Sequence, residues 1–513
     1  MSAQLAWIRE EDPFAMAQDE FLQLVEYLRQ GEGRDLSHEE LEVALSERGR
    51  ELQRLLFQAQ VDSRGSGPAA EPVCGADGVL RKVERLHERG LLTVFGEVRI
   101  RRLGYGTTGV VSFHPLDAEL NLPVEAYSLG VRRVVAEQAA QVSFDATGES
   151  VEKQTGTVVG KRQIEELAQR ATADFDAFYA QRTPVAGTPD RSILAISADG
   201  KGVVMLPRDL REPTRIAAQS ASNKLTKRLA KGEKKNRKRM ATVAAVYSVA
   251  PYVRTPHQIA RSMAPIFEAV PPRPPVEHKR VWASLQQTPE EVIGEAFCEA
   301  LRRDPKKQKT WVALVDGNAT QLKILESLAH EHQVSLTIVM DVMHVTEYLW
   351  KASVAFTEEA SEEREKWVAE RLLNVLLGKA SLVAAGMRRS ATLRGLSEKE
   401  REPVETTAKY LLNHKDYLCY DEYLAAGLPI ATGVIEGACR HLVCDRMDGA
   451  ARWSLAGAEA VLCLRALRSS HDLDAYWRFH VAQEYQRNYV AQYANGDVVP
   501  VKGRSRTELR VVR

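Results

Sequence analysis

The stretch that decides the fold is Ile193–Pro207, ILAISADGKGVVMLP. Ile193, Ala195 and Ser197 alternate with Leu194, Ile196 and Ala198, so both faces are largely apolar, as in a strand buried inside a layered domain. Asp-Gly followed by Lys-Gly is turn chemistry, so the stretch predicts two short strands, Ile193–Asp199 and Val203–Pro207, with Asp199 at the turn. A carboxylate at the rim of such a strand must be solvated, paired or bound to a metal, because burying it bare is costly. Taken alone, Asp199 is a turn residue; the chain downstream supplies a second reading.

After the basic run 224–239, Thr242–Val249 (TVAAVYSV) reads as a third strand and Pro289–Arg302 as a helix. Trp311–Val315 (WVALV) is a fourth strand ending at Asp316-Gly317, Gln321–His332 a helix, and Ser335–Met340 (SLTIVM) a fifth strand. Three strands followed by helix, strand, helix, strand is the element order of an RNase H-like α/β layer. Thr357–Gly427 is helical and charged, closed by a break at Pro429, and Gly433–Arg468 reads as one long returning helix that carries Glu436.

Upstream, Thr183–Asp190 is the clearest boundary. Leu80–Arg89 predicts a helix, and Leu92–Phe113 alternates as a two-stranded ribbon whose middle carries Arg99, Arg101 and Arg102. Val142–Thr155, a break at Gly156–Gly160, and Lys161–Gln169 resemble a helix-turn-helix; such helix pairs either read DNA or simply build a core. The predicted organisation is a multidomain α/β protein. It has an acidic helical leader over 1–61, a candidate for self-association, then a linker over 62–79 and a β-ribbon and helix-turn-helix-like DNA-binding region over 80–183. An RNase H-like core begins over 184–356, is interrupted by an all-helical insertion over 357–430, resumes in a returning helix over 431–476, and is followed by a C-terminal tail over 477–513.

The 513 residues exceed one ordinary core, and 44% hydrophobic with 27% charged residues is the composition of a globular chain. No apolar run reaches membrane-spanning length and Met1–Gln30 lacks a signal peptide's pattern, so the expected location is the cytoplasm, at the nucleoid. The six cysteines form no CxxC pair, which indicates neither a disulfide framework nor a cysteine-rich zinc site. A net charge of +1 hides strong polarity: Met1–Gln60 holds 13 acidic and 6 basic residues, whereas Lys224–Arg239 holds nine basic residues against Glu233 alone.

In this layout Asp199 and Asp316 end strands, and Glu436 sits in the first turn of the returning helix. Adjacent parallel strands lie about 5 Å apart, so acids at their ends can share a hard cation with substrate phosphate. Two ions, Mg²⁺ or Mn²⁺, held by Asp199, Asp316 and Glu436 would support in-line attack on a phosphodiester.

SADGKGV at 197–203, LVDGNATQL at 314–322, MDVMHVTEYLW at 340–350 and GVIEGACRHLVCDRMDGAARWSLAGAEAVLCLRALR at 433–468 resemble the signature segments of ISKra-type DDE transposases of bacterial insertion sequences and, more distantly, the Mutator-like group. The resemblance spans Arg191–Ser470 and, more weakly, Leu92–Ala173. It implies a transposase that binds the terminal inverted repeats of its own element and cuts and joins double-stranded DNA, acting as a homodimer or higher assembly. It matches Asp199 and Asp316 to the two catalytic aspartates and Glu436 to the glutamate. Asp341 and His344 match the Asp/Cys-x-x-His motif; Asp341, also at a strand end, is the rival second acid, and His344 reads as a local helix residue rather than a metal ligand. Relatives often carry cysteine pairs where this chain has Tyr105-Gly106-Thr107-Thr108-Gly109, so no zinc is expected.

Phosphate contacts are expected from Lys224, Lys227, Arg228, Lys231, Lys234, Lys235, Arg237, Lys238 and Arg239, from Arg99, Arg101 and Arg102, from Lys161 and Arg162, and from Arg440 and Arg452. Lys201 either meets the scissile phosphate or is a turn lysine, and Trp453 either stacks on an unpaired base or is core. Two rival functions share these residues: a structure-specific nuclease or resolvase, and a transposase-derived DNA-binding protein without catalysis.

Overall fold

In the computed structural model, which describes residues 12–30, 32–182, 192–220, 237–262, 272–449 and 451–502, Ile193–Val204 is one unbroken strand, β1. The expected hairpin at Asp199 does not form. β2 (Lys238–Val249) lies antiparallel along all of β1, from Ile193 opposite Val249 to Val204 opposite Lys238, and Asp-Gly-Lys-Gly runs straight through this pairing. The two glycines make room instead of turning the chain. A Cβ on Gly202 would come within 2.7 Å of Lys238 Cδ, and one on Gly200 within 3.3 Å of Met240 Cε.

β3 (Val276–Ser284) pairs antiparallel with β2, while β4 (Thr310–Val315) and β5 (Leu336–Met340) run parallel to β1, giving the order β3-β2-β1-β4-β5. β4 and β5 are the two strands expected from WVALV and SLTIVM, and the predicted third strand is β2. β3 was invisible in the sequence because its first four residues are exposed and largely charged; only Arg280–Ser284 is buried. Helices Pro289–Arg303, Ala319–Glu331 and Val342–Ser353 connect and flank the strands. The first is started by a capping box between Thr288 and Glu291.

Helices Glu362–Leu376, Ala380–Leu393, Glu398–Asn413 and Tyr420–Ala425 make up the helical stretch expected over 357–427. The predicted single helix Gly433–Arg468 is broken. Gly433–Ala438 passes into a π-helical turn at Cys439–Cys444 and a last α-helical turn at Asp445–Met447, and a further helix starts at Leu455–Ser469. The interruption has a partner: Trp453 N–H donates to Val204 O at 3.0 Å and Leu206 N–H donates to Trp453 O at 2.8 Å, so the chain there extends β1's hydrogen bonding.

The chain divides into two compact units, Met1–Gln181 with Leu473–Arg513, and Arg182–Asp472. In the first, helices Ala15–Gln30 and His38–Asp62 form the leader. The helix expected at Leu80–Arg89 is instead strand: Val83–Thr93 pairs residue by residue with Gly96–Gly106 across a two-residue turn. That pairing gives the inward-facing backbone groups of both strands partners, which local periodicity did not show. Helices Phe144–Thr155 and Lys161–Arg170 form the expected pair, the first ended by Gly156 at φ 68°. The stretch read as a linker holds the short strand Val73–Cys74, which pairs with Leu80–Arg81 just beyond it, and Val73 is buried with Tyr105, Phe113, Tyr493 and Val499. The C-terminal tail, expected without pattern, includes the helix Leu473–Asn488, where buried His480 donates from Nδ1 to Asp174 at 2.7 Å and accepts from Arg132 at 2.9 Å.

In the second unit, buried Arg280 of β3 pairs with Glu295 and, at 3.0 Å, with Glu299, which also receives Arg302 and Arg303. Burial alone would raise the Glu299 pKa, but the charges of Arg280 and Arg303 and the hydrogen bonds of Arg302 and Arg303 push it down to about 2. A folded-state pKa below the ordinary 4.5 means that this stabilisation is present above pH 4.5 and is lost as pH falls toward 2. Glu299→Gln is therefore expected to lower the unfolding free energy by about 3 kcal/mol at neutral pH. In urea denaturation the gap from wild type should close between pH 4.5 and about 2.

Candidate active site

The carboxyl ends of β4 and β5 lie alongside the middle of the longer β1: Ser197 lies beside Leu314, and Val315 beside Met340. Asp199 is two residues past Ser197, and Asp316 and Asp341 each follow the last residue of their strand. The Gly433–Ala438 helix packs against β1 and β2 and carries Glu436. Ligand-binding crevices of α/β sheets lie at such carboxyl ends.

Each acid is held differently. Asp199 Oδ2 accepts from the Cys439 thiol at 3.2 Å and lies 3.0 Å from Lys201 Nζ, and its Oδ1 lies 2.6 Å from Gly200 N–H. Burial, reinforced by the charge of Asp199, raises the Cys439 pKa far above the ordinary thiol value, so the thiol stays protonated and donates. Burial alone would lower the Lys201 pKa, but the hydrogen bond and charge of Asp199 outweigh it and hold the ammonium above its usual value.

Asp316 uses Oδ1 to accept Asn318 N–H at 3.0 Å, closing its own turn. Its carbonyl accepts from the Tyr410 hydroxyl at 3.2 Å. Gly317, at φ 97°, leaves room for the Tyr410 ring, since a Cβ there would sit 3.2 Å from Tyr410 Cε2.

Asp341 is 2% exposed and caps the Val342–Ser353 helix through Met343 N–H at 3.1 Å. Thr432 gives it both a hydroxyl hydrogen bond at 2.8 Å and a backbone N–H at 3.3 Å. The same hydroxyl oxygen lies 3.2 Å from Glu436 Oε1. Asp341 is thus joined to Glu436 through one threonine, and its own oxygens are taken up by local donors. His344 Nδ1 lies 3.9 Å from Glu347, one turn along its own helix, in keeping with a local role.

Among the described residues no group of three or more His, Cys, Asp and Glu side chains is gathered closely enough to hold a metal ion. The donors nevertheless suit a hard cation in kind: they are carboxylate oxygens on neighbouring strands, and one of them already takes a cation, the Lys201 ammonium.

Of the basic residues, Lys224, Lys227, Arg228, Lys231, Lys234 and Lys235 lie outside the described residues. Arg237 donates to Ala218 O at 3.3 Å, Arg239 to Leu285 O at 2.8 Å and Asp209 O at 3.2 Å, and Lys238 lies 3.8 Å from Asp448. Arg440 is 75% exposed, 3.6 Å from Asp445, and Arg452 is exposed. Trp453 is 5% exposed with the Arg446 guanidinium 4.6 Å over its ring. In the ribbon, Arg99 and Arg101 face solvent beside Glu88, whereas Arg102 turns inward to Asp117. Lys161 and Arg162 are exposed and pair with Asp145 and Glu166.

Cys439, Thr432 and Tyr410 were absent from the sequence reading. The first two had a signal: Cys439 is one helical turn after Glu436 and Thr432 one turn before it. Tyr410, on the helical insertion, had none. No protein-family model and no curated protein matches this chain.

Thr432→Val leaves the buried Asp341 carboxylate without its hydroxyl donor and is expected to destabilise the protein by about 1–3 kcal/mol. Thr432→Ser keeps the donor and should melt close to wild type in a differential scanning experiment.

Proposed function

We propose that this protein is a metal-dependent phosphodiester-transfer enzyme acting on DNA, built on an RNase H-like core. More particularly, we read it as an insertion-sequence DDE transposase that binds the terminal inverted repeats and cuts and joins DNA. The observation that carries the reading is the sheet itself. Three antiparallel strands and two parallel ones, in the order β3-β2-β1-β4-β5, carry Asp199 within β1 and Asp316 just past the end of the adjacent β4, and the returning helix carries Glu436 against β1 and β2.

In this reading Asp199, Asp316 and Glu436 hold two Mg²⁺ or Mn²⁺ ions, which when bound activate the attacking water or 3′-hydroxyl and stabilise the leaving oxygen. The chain's other residues orient these acids. Cys439 fixes the Asp199 carboxylate, Tyr410 fixes the turn of Asp316, and Asp341 with Thr432 fixes the start of the helix bearing Glu436. This makes Asp341 a positioning residue and Asp316 the second catalytic acid. Arg440 and Arg452 are available to DNA phosphates, and Arg99 and Arg101 serve the first unit in the same way. Joining two element ends requires a dimer or higher assembly.

A second reading, a DNA-binding protein without catalysis, draws support from the lack of a gathered three-acid group among the described residues. Cleavage and strand transfer on DNA carrying the element's ends separate the two. Joining in Mg²⁺ or Mn²⁺ that disappears in Asp199→Asn, Asp316→Asn and Glu436→Gln is expected. End binding with no cutting in either metal would leave the binding protein, and activity surviving in Asp199→Asn would overturn the enzyme reading. In the same assays, Arg99→Ala with Arg101→Ala should weaken DNA binding and reduce its salt slope by about 2. Arg102→Ala should instead destabilise the first unit by roughly 1–3 kcal/mol.

A further inference from the structure

Asp199 Oδ2 is shared by two donors of different character. Cys439 is 1% exposed and sits on the packed π-helical turn, so its thiol is fixed in place. Lys201 reaches the same oxygen at 3.0 Å from a side chain that is 41% exposed and carried on a flexible four-carbon stem. Both donors lie within reach of that one oxygen, the thiol at 3.2 Å and the ammonium at 3.0 Å. The other oxygen lies against Gly200 N–H. A divalent ion that binds Asp199 Oδ2 competes with these donors, and the half-exposed Lys201 is the one able to leave.

We infer that Lys201 is a resident cation that a divalent metal displaces, and that its released ammonium then binds a phosphate of the DNA. This deepens the reading of Asp199 as a metal ligand and rests on it. Lys201 lies two residues beyond Asp199 on a continuous strand, so both side chains project from the same face of the sheet. The displaced ammonium stays beside the site, within reach of a phosphodiester held at the metal. Metal and DNA then favour each other's binding through Lys201, and by linkage the effect is reciprocal. The arrangement also keeps Asp199 neutralised while no metal is bound, since a partly buried carboxylate needs a counter-charge.

The experiment is calorimetric titration of Mn²⁺ into the full-length chain without DNA, for wild type, Lys201→Met, Lys201→Gln and Asp199→Asn, each checked for its melting temperature. Removing a competing, half-exposed ammonium should tighten Mn²⁺ binding by about fivefold in both lysine variants, while Asp199→Asn weakens or abolishes it. The second arm measures affinity for a duplex oligonucleotide with and without Ca²⁺. The Ca²⁺-dependent gain of wild type should shrink at least threefold in Lys201→Met. Unchanged or weaker Mn²⁺ binding in both lysine variants, with Asp199→Asn impaired, overturns the displacement and leaves the metal site standing. Equal Mn²⁺ binding in wild type and Asp199→Asn removes the metal site at Asp199, and the displacement with it. Tighter Mn²⁺ binding with an undiminished Ca²⁺-dependent gain in Lys201→Met overturns the phosphate role.

Discussion

The constraint on which the rest of the second unit depends is the uninterrupted pairing of β1 with β2. Twelve consecutive residues of β1 find partners, from Ile193 opposite Val249 to Val204 opposite Lys238. A hairpin at Asp199 would have satisfied only a few backbone groups locally. The long ladder satisfies them along the whole strand, and cooperative pairing of this kind overrides the turn preference of Asp-Gly-Lys-Gly. Asp199 consequently stands within a strand, with Lys201 on its own side of the sheet and β4 alongside. The contacts of Asp199 with Lys201 and Cys439 follow from that placement.

The helical insertion solves a second problem. β5 is an edge strand, and an edge leaves carbonyls without partners. Tyr420 donates its hydroxyl to Met340 O at 2.8 Å and Tyr423 to Ile338 O at 3.3 Å, so alternate carbonyls of the edge are closed by phenols from one helix. Tyr410 reaches Asp316 O, stacks on Tyr348 with ring centroids 4.0 Å apart, and Thr407 donates to Tyr348 O at 2.9 Å. The insertion thereby covers the sheet edge and sets the turn that presents Asp316. Whatever moves these helices moves an acid of the site.

The charges sort by burial more than by sequence density. Arg239 belongs to the basic run yet spends its guanidinium on two carbonyls, and Arg102 belongs to the ribbon's arginine cluster yet faces Asp117. Strand alternation decides the latter: Arg99 and Arg101 share the exposed side of the ribbon, and Arg102, one residue on, takes the other. A count of arginines cannot separate these roles, whereas their position in the pleat does.

The sequence by itself determined the helices of the insertion, the strands β4 and β5 and the helix pair of the first unit, because each leaves a local mark in periodicity or capping. Only the tertiary structure decided that the Asp-Gly-Lys-Gly stretch is strand, that Leu80–Arg89 is not a helix, that β3 exists behind a charged face, and that the returning helix breaks so Trp453 can pair with β1. It alone paired Asp199 with Cys439 and Lys201, and Asp341 with Thr432. The physical reason is common to all of these. They rest on hydrogen bonds and packing between segments distant in the chain, and such partners leave no period in either segment.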